Sequence, residues 1–222
     1  MNNDESFFGT FFGTPVVCTQ VKENTDILQS CYKDIGDGKW GRIYEHSNQN
    51  KNMGWGYDGK GDMRILESYP QIKKILLDNF TSFMNEIMMI NSTKFDISTS
   101  WLTRIGKGEQ SPMHLHANSF WSGVYYYDED YDGTSPLTIE SPLINHIKDF
   151  GFFVQPDEAN EYNSLTMDLY PKKNQLLLFP SYLKHGINEQ KSEKIRYSLA
   201  FNIIPVGHYG GGDSQYNTKW FN

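Results

Sequence analysis

Hydrophobic and polar positions along the chain change period once. Between residues 70 and 90, Ile72, Ile75, Leu76, Phe80, Phe83, Ile87 and Met88 recur at threes and fours. That spacing predicts an amphipathic helix with one face laid on a sheet. Pro70 suits its first turn, where a missing N–H costs nothing. After Asn91 the period drops to two. Strands are predicted at 96–105, 112–116, 120–127, 136–140, 164–170, 175–180, 184–189 and 195–204, with turn residues between them. Eight short strands of this kind predict a mainly β fold. The expected form is a double-stranded β-helix (a cupin-like jelly roll) of two four-stranded sheets, supported by N-terminal helices.

Ahead of residue 70 the pattern is weaker. Residues 14–21 read as a strand, and 25–33 as a helical turn carrying Ile27, Leu28, Cys31 and Tyr32. Residues 36–62 are rich in Gly, Asn and Lys without periodicity, yet hold Trp40, Tyr44, Trp55 and Tyr57. A long stretch of that kind is expected to pack as a loop over something. The 141–163 interruption is expected to line a substrate mouth. No internal repeat is visible, and residues 1–222 read as one domain. Within it, 1–95 is N-terminal strand, loop and helical support, 96–205 the β core, and 206–222 a Gly-rich tail.

Composition narrows the function classes. A net charge of −7 with no basic run argues against nucleic acid, because phosphate binding needs clustered Lys and Arg. Cys18 and Cys31 are too few for a disulfide framework and lack metal spacing. No basic n-region opens the chain, and no window approaches the ~18 apolar residues of a membrane span. The expectation is a cytoplasmic protein without a membrane partner.

Candidate chemistry lies in the β half. His114-Leu115-His116 is followed by His185, then by Arg196-Tyr197-Ser198. On a strand, residues i and i+2 share a face about 6.6 Å apart, so two imidazoles can reach one ion from the same side. A third His from a neighbouring strand completes a facial set and leaves other positions open. Arg196 opens an otherwise apolar strand, where an unpaired guanidinium is costly; it calls for an anion, either a protein carboxylate or a ligand. With Ser198 on the same face, it could hold a carboxylate in a fixed pose. His46, His146 and His208 have no partner at strand spacing and read as structural or solvated.

Three blocks, HLHANSFWSGVYYY, QLLLFPSYLKHG and RYSLAFN, together resemble the 2-oxoglutarate and Fe(II)-dependent dioxygenase superfamily, in its prolyl-hydroxylase-like branch. The likeness spans roughly residues 97–205. It implies an oxidoreductase in which Fe(II) holds 2-oxoglutarate and O2, and oxidative decarboxylation drives hydroxylation of a primary substrate. By motif position, His114 matches the first iron ligand and His185 the distal one. Arg196 with Ser198 matches the co-substrate clamp, Tyr126 a hydroxyl that assists it, and Arg104 a further polar contact. The chain departs from the pattern at His116, where the family has Asp or Glu. Either His116 is a true third ligand, or it stands back from the iron and water or an acid such as Glu140 takes the place. Losing that carboxylate removes one negative charge from the iron. Two rival readings follow: a three-His, cupin-like metalloenzyme that does not use 2-oxoglutarate, and an inactive barrel kept as an interaction protein. Trp101, Phe120, Trp121 and Tyr125 are candidate pocket walls, although alternation sends only some of them inward.

Overall fold

The period-two segments pair into antiparallel sheets in the computed structural model, which describes residues 13–22, 41–42, 55–57, 64–144, 156–160 and 162–217. Before the helix lie β1 (Val17–Gln20), β2 (Gly41–Arg42) and β3 (Trp55–Tyr57). After it come β4 (Lys94–Ile105), β5 (Ser111–His114), β6 (Trp121–Tyr126) and β7 (Leu137–Glu140). Then follow β8 (Thr166–Leu169), β9 (Gln175–Pro180), β10 (His185–Ile187) and β11 (Arg196–Val206). A small hairpin of β12 (His208–Tyr209) and β13 (Tyr216–Asn217) comes last among the described residues.

The larger sheet has the order β1-β9-β6-β11-β4-β3-β2, and the smaller β5-β10-β7-β8. Strands β4 to β11 thus divide into β9-β6-β11-β4 and β5-β10-β7-β8. The chain crosses from one group to the other at β4–β5, β5–β6, β6–β7, β8–β9, β9–β10 and β10–β11. This is a double-stranded β-helix with the expected two four-stranded halves. Strands β1, β2 and β3 lengthen the larger sheet at its two edges.

Helix α1 (Pro70–Glu86) backs the larger sheet. Its buried positions, Ile72, Leu76, Phe80 and Met84, fall every four residues and meet Leu102, Trp121, Tyr125, Leu199 and Phe201. Each large apolar side chain buried here contributes about 1.5–3 kcal/mol relative to exposure. The helix stops four residues short of the predicted end. Met89 turns into the left-handed region (φ 56), and the Ile90 N–H caps the Met84 carbonyl at 2.9 Å. Gly123 of β6 lies across from Phe201 of β11, and a Cβ there would stand 2.2 Å from the Phe201 ring. The ring needs that space.

A second apolar cluster fills the inside of the barrel, with Ile105, Val124, Tyr126, Leu137, Leu177 and Phe179. Alternation sorts the two clusters: in β9, Leu176 and Leu178 face α1 while Leu177 and Phe179 face inward.

Several expectations change. His116 lies beyond the end of β5, which stops at His114. A loop therefore places it, through the bond from its backbone N–H to the Ser181 carbonyl at 3.0 Å. Within the 36–62 stretch, β2 and β3 form part of the sheet, and its other residues lie outside those described. The predicted helical turn at 25–33 lies outside the described residues, as do His46, 145–155 (which includes His146), 161 and 218–222. Among the described residues, no helix is long and apolar enough to cross a membrane.

Candidate metal centre and anion clamp

His114 ends β5 and His185 begins β10, and their Cα atoms pair across the two antiparallel strands. His116 reaches the same point from the loop after β5. The ring centroids lie 5.2 Å apart for 114–116, 4.4 Å for 114–185 and 5.0 Å for 116–185. One ligand atom from each lies within 4.8 Å of the others. The rings converge. Among the described residues no carboxylate joins this group. Glu140, the acid considered for the place, is instead paired with Lys184 at 3.6 Å.

Each ring is held by its Nδ1. His114 Nδ1–H donates to the Pro112 carbonyl at 2.7 Å, and His185 Nδ1–H to the Leu183 carbonyl at 2.9 Å. His116 Nδ1–H donates to Asn202 Oδ1 at 2.5 Å, with Ser122 Oγ also at 3.0 Å. Occupying Nδ1 in this way leaves Nε2 with its lone pair free, which is how ligating imidazoles are oriented. Burial pushes the His185 imidazole down to about 3, assisted by the neighbouring charge of His114. Burial likewise lowers His116, with the Asn202 hydrogen bond opposing. Three neutral nitrogen donors suit a divalent first-row transition metal such as iron. The donor set fits.

The second anchor sits in the same cavity, of about 640 Å³, bordered by all three histidines together with Arg196, Ser198 and Asn202. Arg196 is fully buried. Its Nη2 donates to the Tyr126 hydroxyl at 2.7 Å, and its Nη1 reaches Ser198 Oγ at 3.5 Å. Nε has no hydrogen-bond partner, and among the described residues no carboxylate forms an ion pair with this guanidinium. A buried cation without a counter-charge is costly, so the site fits a bound carboxylate. Ser198 Oγ lies 2.5 Å from Thr103 Oγ1, which adds hydroxyls beside the guanidinium. Tyr126 lies beneath Arg196, its phenol pushed up by burial and pulled back by the guanidinium.

Arg104 does not join them. Alternation sends Thr103 and Ile105 into the cavity and Arg104 to the other face of β4, and it does not border the cavity. The expected contact between Arg104 and a co-substrate is corrected accordingly. Of the candidate walls, Trp101 borders the cavity; Trp121 and Tyr125 face α1, and Phe120 stacks on Phe95. Exposed His208 contacts Gln215 in the C-terminal hairpin, apart from the site.

Sequence reasoning missed Asn202, Ser122, Ser181 and Thr103. Asn202 carried a usable signal: it is six residues after Arg196 on β11, so period two puts it on the cavity face.

Comparison with known proteins agrees with this geometry. Residues 99–202, just under half of the chain, match the family model described as "Putative 2OG-Fe(II) oxygenase". No curated protein matches the sequence. Among solved structures, similarity extends to a 2OG-Fe(II) oxygenase-family oxidoreductase from Burkholderia pseudomallei. It has 12% identity and a TM-score of 0.56, over 85% of this chain and 84% of that one. HygX from Streptomyces hygroscopicus, solved with nickel, 2-oxoglutarate and hygromycin B, has 11% identity and a TM-score of 0.54, over 86% and 83%. A prolyl hydroxylase from Trichoplax adhaerens, in complex with a hypoxia inducible factor peptide, has 14% identity and a TM-score of 0.55, over 85% and 83%. At these identities the likeness establishes a shared fold.

Proposed function

We propose that this chain, a 2OG-Fe(II) oxygenase by the family of its residues 99–202, is an Fe(II)- and 2-oxoglutarate-dependent dioxygenase that hydroxylates an unidentified substrate. The observation that carries the reading is Arg196: a fully buried guanidinium with an orphaned Nε, in one cavity with three convergent imidazoles. A metal chelator with a carboxylate at its far end is the ligand that serves both anchors.

In this reading His114, His116 and His185 hold iron through Nε2. Bound iron supplies the redox chemistry that couples decarboxylation of 2-oxoglutarate by O2 to oxidation of a substrate. The chain's own part is binding, orientation and exclusion of water. Arg196 would donate to the far carboxylate of the co-substrate in a charge-assisted pair, with the Ser198 and Tyr126 hydroxyls completing its hydrogen bonds. Ile105, Val124, Leu137 and Phe179 keep the cavity wall dry, which strengthens every charge interaction inside it.

The neutral ligand set favours a second reading, O2 chemistry at a three-histidine centre without 2-oxoglutarate. That reading leaves the unpaired Arg196 without a purpose. Anaerobic visible spectroscopy separates the two. Adding 2-oxoglutarate to the Fe(II)-loaded protein should produce a weak charge-transfer band; an unchanged spectrum, with iron bound, supports the second reading. A product heavier by one oxygen atom, sought by mass spectrometry among peptides and small molecules, then identifies the substrate.

A further inference from the structure

The three histidines are not held alike. His114 and His185 present Nδ1 to backbone carbonyls, which only accept, so each ring must carry its proton on Nδ1 and expose Nε2. His116 faces a side-chain amide instead, and an amide offers an acceptor on one side and a donor on the other. Were the Asn202 amide turned over, its NH2 would donate to His116 Nδ1, the imidazole proton would move to Nε2, and that nitrogen could not ligate a metal. Competence of His116 as a ligand therefore depends on which way round one amide stands.

The amide stands with its oxygen toward the ring, among hydroxyl partners. Its Nδ2 donates to Thr99 Oγ1 at 2.9 Å, and Asn202 and Thr99 are register partners across β11 and β4. Its Oδ1 accepts from Ser122 Oγ at 3.0 Å as well as from His116 at 2.5 Å. Ser122 is itself fixed by buried Ser181, 2.9 Å away. The local backbone is special too: the β11–β4 register slips by one residue immediately after Asn202.

We propose that Asn202 is the positioning residue of the metal centre: by accepting the Nδ1 proton of His116 it makes an imidazole serve where the family places a carboxylate. This rests on the proposed function only in taking His116 as a metal ligand. It does not depend on 2-oxoglutarate. Supporting hydrogen bonds of this kind are worth about ten- to a hundredfold in metal affinity.

The test is an anaerobic titration with Co(II) alone, followed by its visible absorption, with no 2-oxoglutarate present. Asn202→Leu removes the acceptor at similar volume and should weaken cobalt affinity about ten- to a hundredfold. Asn202→Asp keeps an acceptor that cannot be turned the wrong way round, and should bind at least as tightly as the parent. In a His116→Ala background, Asn202→Leu should change affinity by less than about twofold, because the effect runs through that ring. Affinity unchanged in Asn202→Leu, or weakened in Asn202→Asp, overturns the proposal. So does an equal loss with and without His116, which would mean a merely structural role. If Asn202→Leu does not fold, the Asp variant alone decides. A protein that binds cobalt as expected but ignores 2-oxoglutarate refutes the co-substrate reading and leaves this one standing.

Discussion

On the α1-facing side of β11, Tyr197, Leu199, Phe201 and Ile203 pack into the larger apolar cluster, whereas Arg196, Ser198, Ala200 and Asn202 face the cavity one residue out of step. The outer row is closed: each side chain meets apolar partners, and Gly123 is kept bare so that the Phe201 ring fits. The inner row leaves a guanidinium nitrogen unpaired and holds an amide against a histidine. Core packing and the proposed ligand binding therefore fall on alternate residues of one strand. A slip of one residue in register would exchange them, which is why pairing of β11 with both β4 and β6 matters for function.

Substitutions on the two faces should separate these roles. Phe201→Ala, on the outer face, should cost about 3–5 kcal/mol of folding stability in urea denaturation, while metal affinity of the remaining folded protein stays near the parent's. A loss of metal binding larger than the loss of stability would show that the faces are not independent.

Acid should expose the inner face next, in the metal-free protein. His185 titrates at about 3 when folded, below its ordinary value of 6.5. The unfolded chain takes up that proton first. The stability contributed by the neutral ring is thus full above about 6.5, declines as pH falls, and levels off near 3. His116 acts in the same direction. The difference in stability between the parent and His185→Gln should shrink by a few kcal/mol between about pH 7 and pH 4. A constant difference would contradict the burial argument.

Smaller effects sharpen the picture within the inner row. His116→Ala should weaken iron affinity by at least about tenfold, or ~1.4 kcal/mol, by anaerobic titration. Unchanged affinity would move His116 out of the coordination sphere. Ser198→Ala should weaken 2-oxoglutarate binding by about 0.5–1.5 kcal/mol and leave metal affinity alone.

Much of this was legible in the sequence, for identifiable reasons. Strands β4 to β11 announced themselves by alternation or, as in β9, by a short apolar run between turn residues, and β9 agrees with the predicted 175–180 to the residue. The four-residue spacing in α1 likewise reflects one buried face. The convergence of His114 and His185 was readable as a histidine on one strand met by another from a neighbouring strand, and β5 and β10 do pair at these two residues. His116 was reached for the wrong local reason, since a loop bond to Ser181 rather than strand alternation brings it in. Arg104 misled because motif distance does not report which face of a strand a residue takes. Period two from Arg196 put Asn202 on the cavity face, but its hydrogen-bond partner His116 stands 86 positions away in the chain. No local pattern encodes that contact.

Metal and buried guanidinium together should grip one diacid. Anaerobic calorimetry of 2-oxoglutarate binding to the Fe(II)-loaded protein tests it most directly, with the metal-free protein and the metal-loaded Arg196→Met variant alongside. Both anchors should be needed, so affinity should fall at least about tenfold when either is removed, while Arg196→Met still binds iron like the parent. Equal 2-oxoglutarate affinity in the parent and in Arg196→Met would contradict the account.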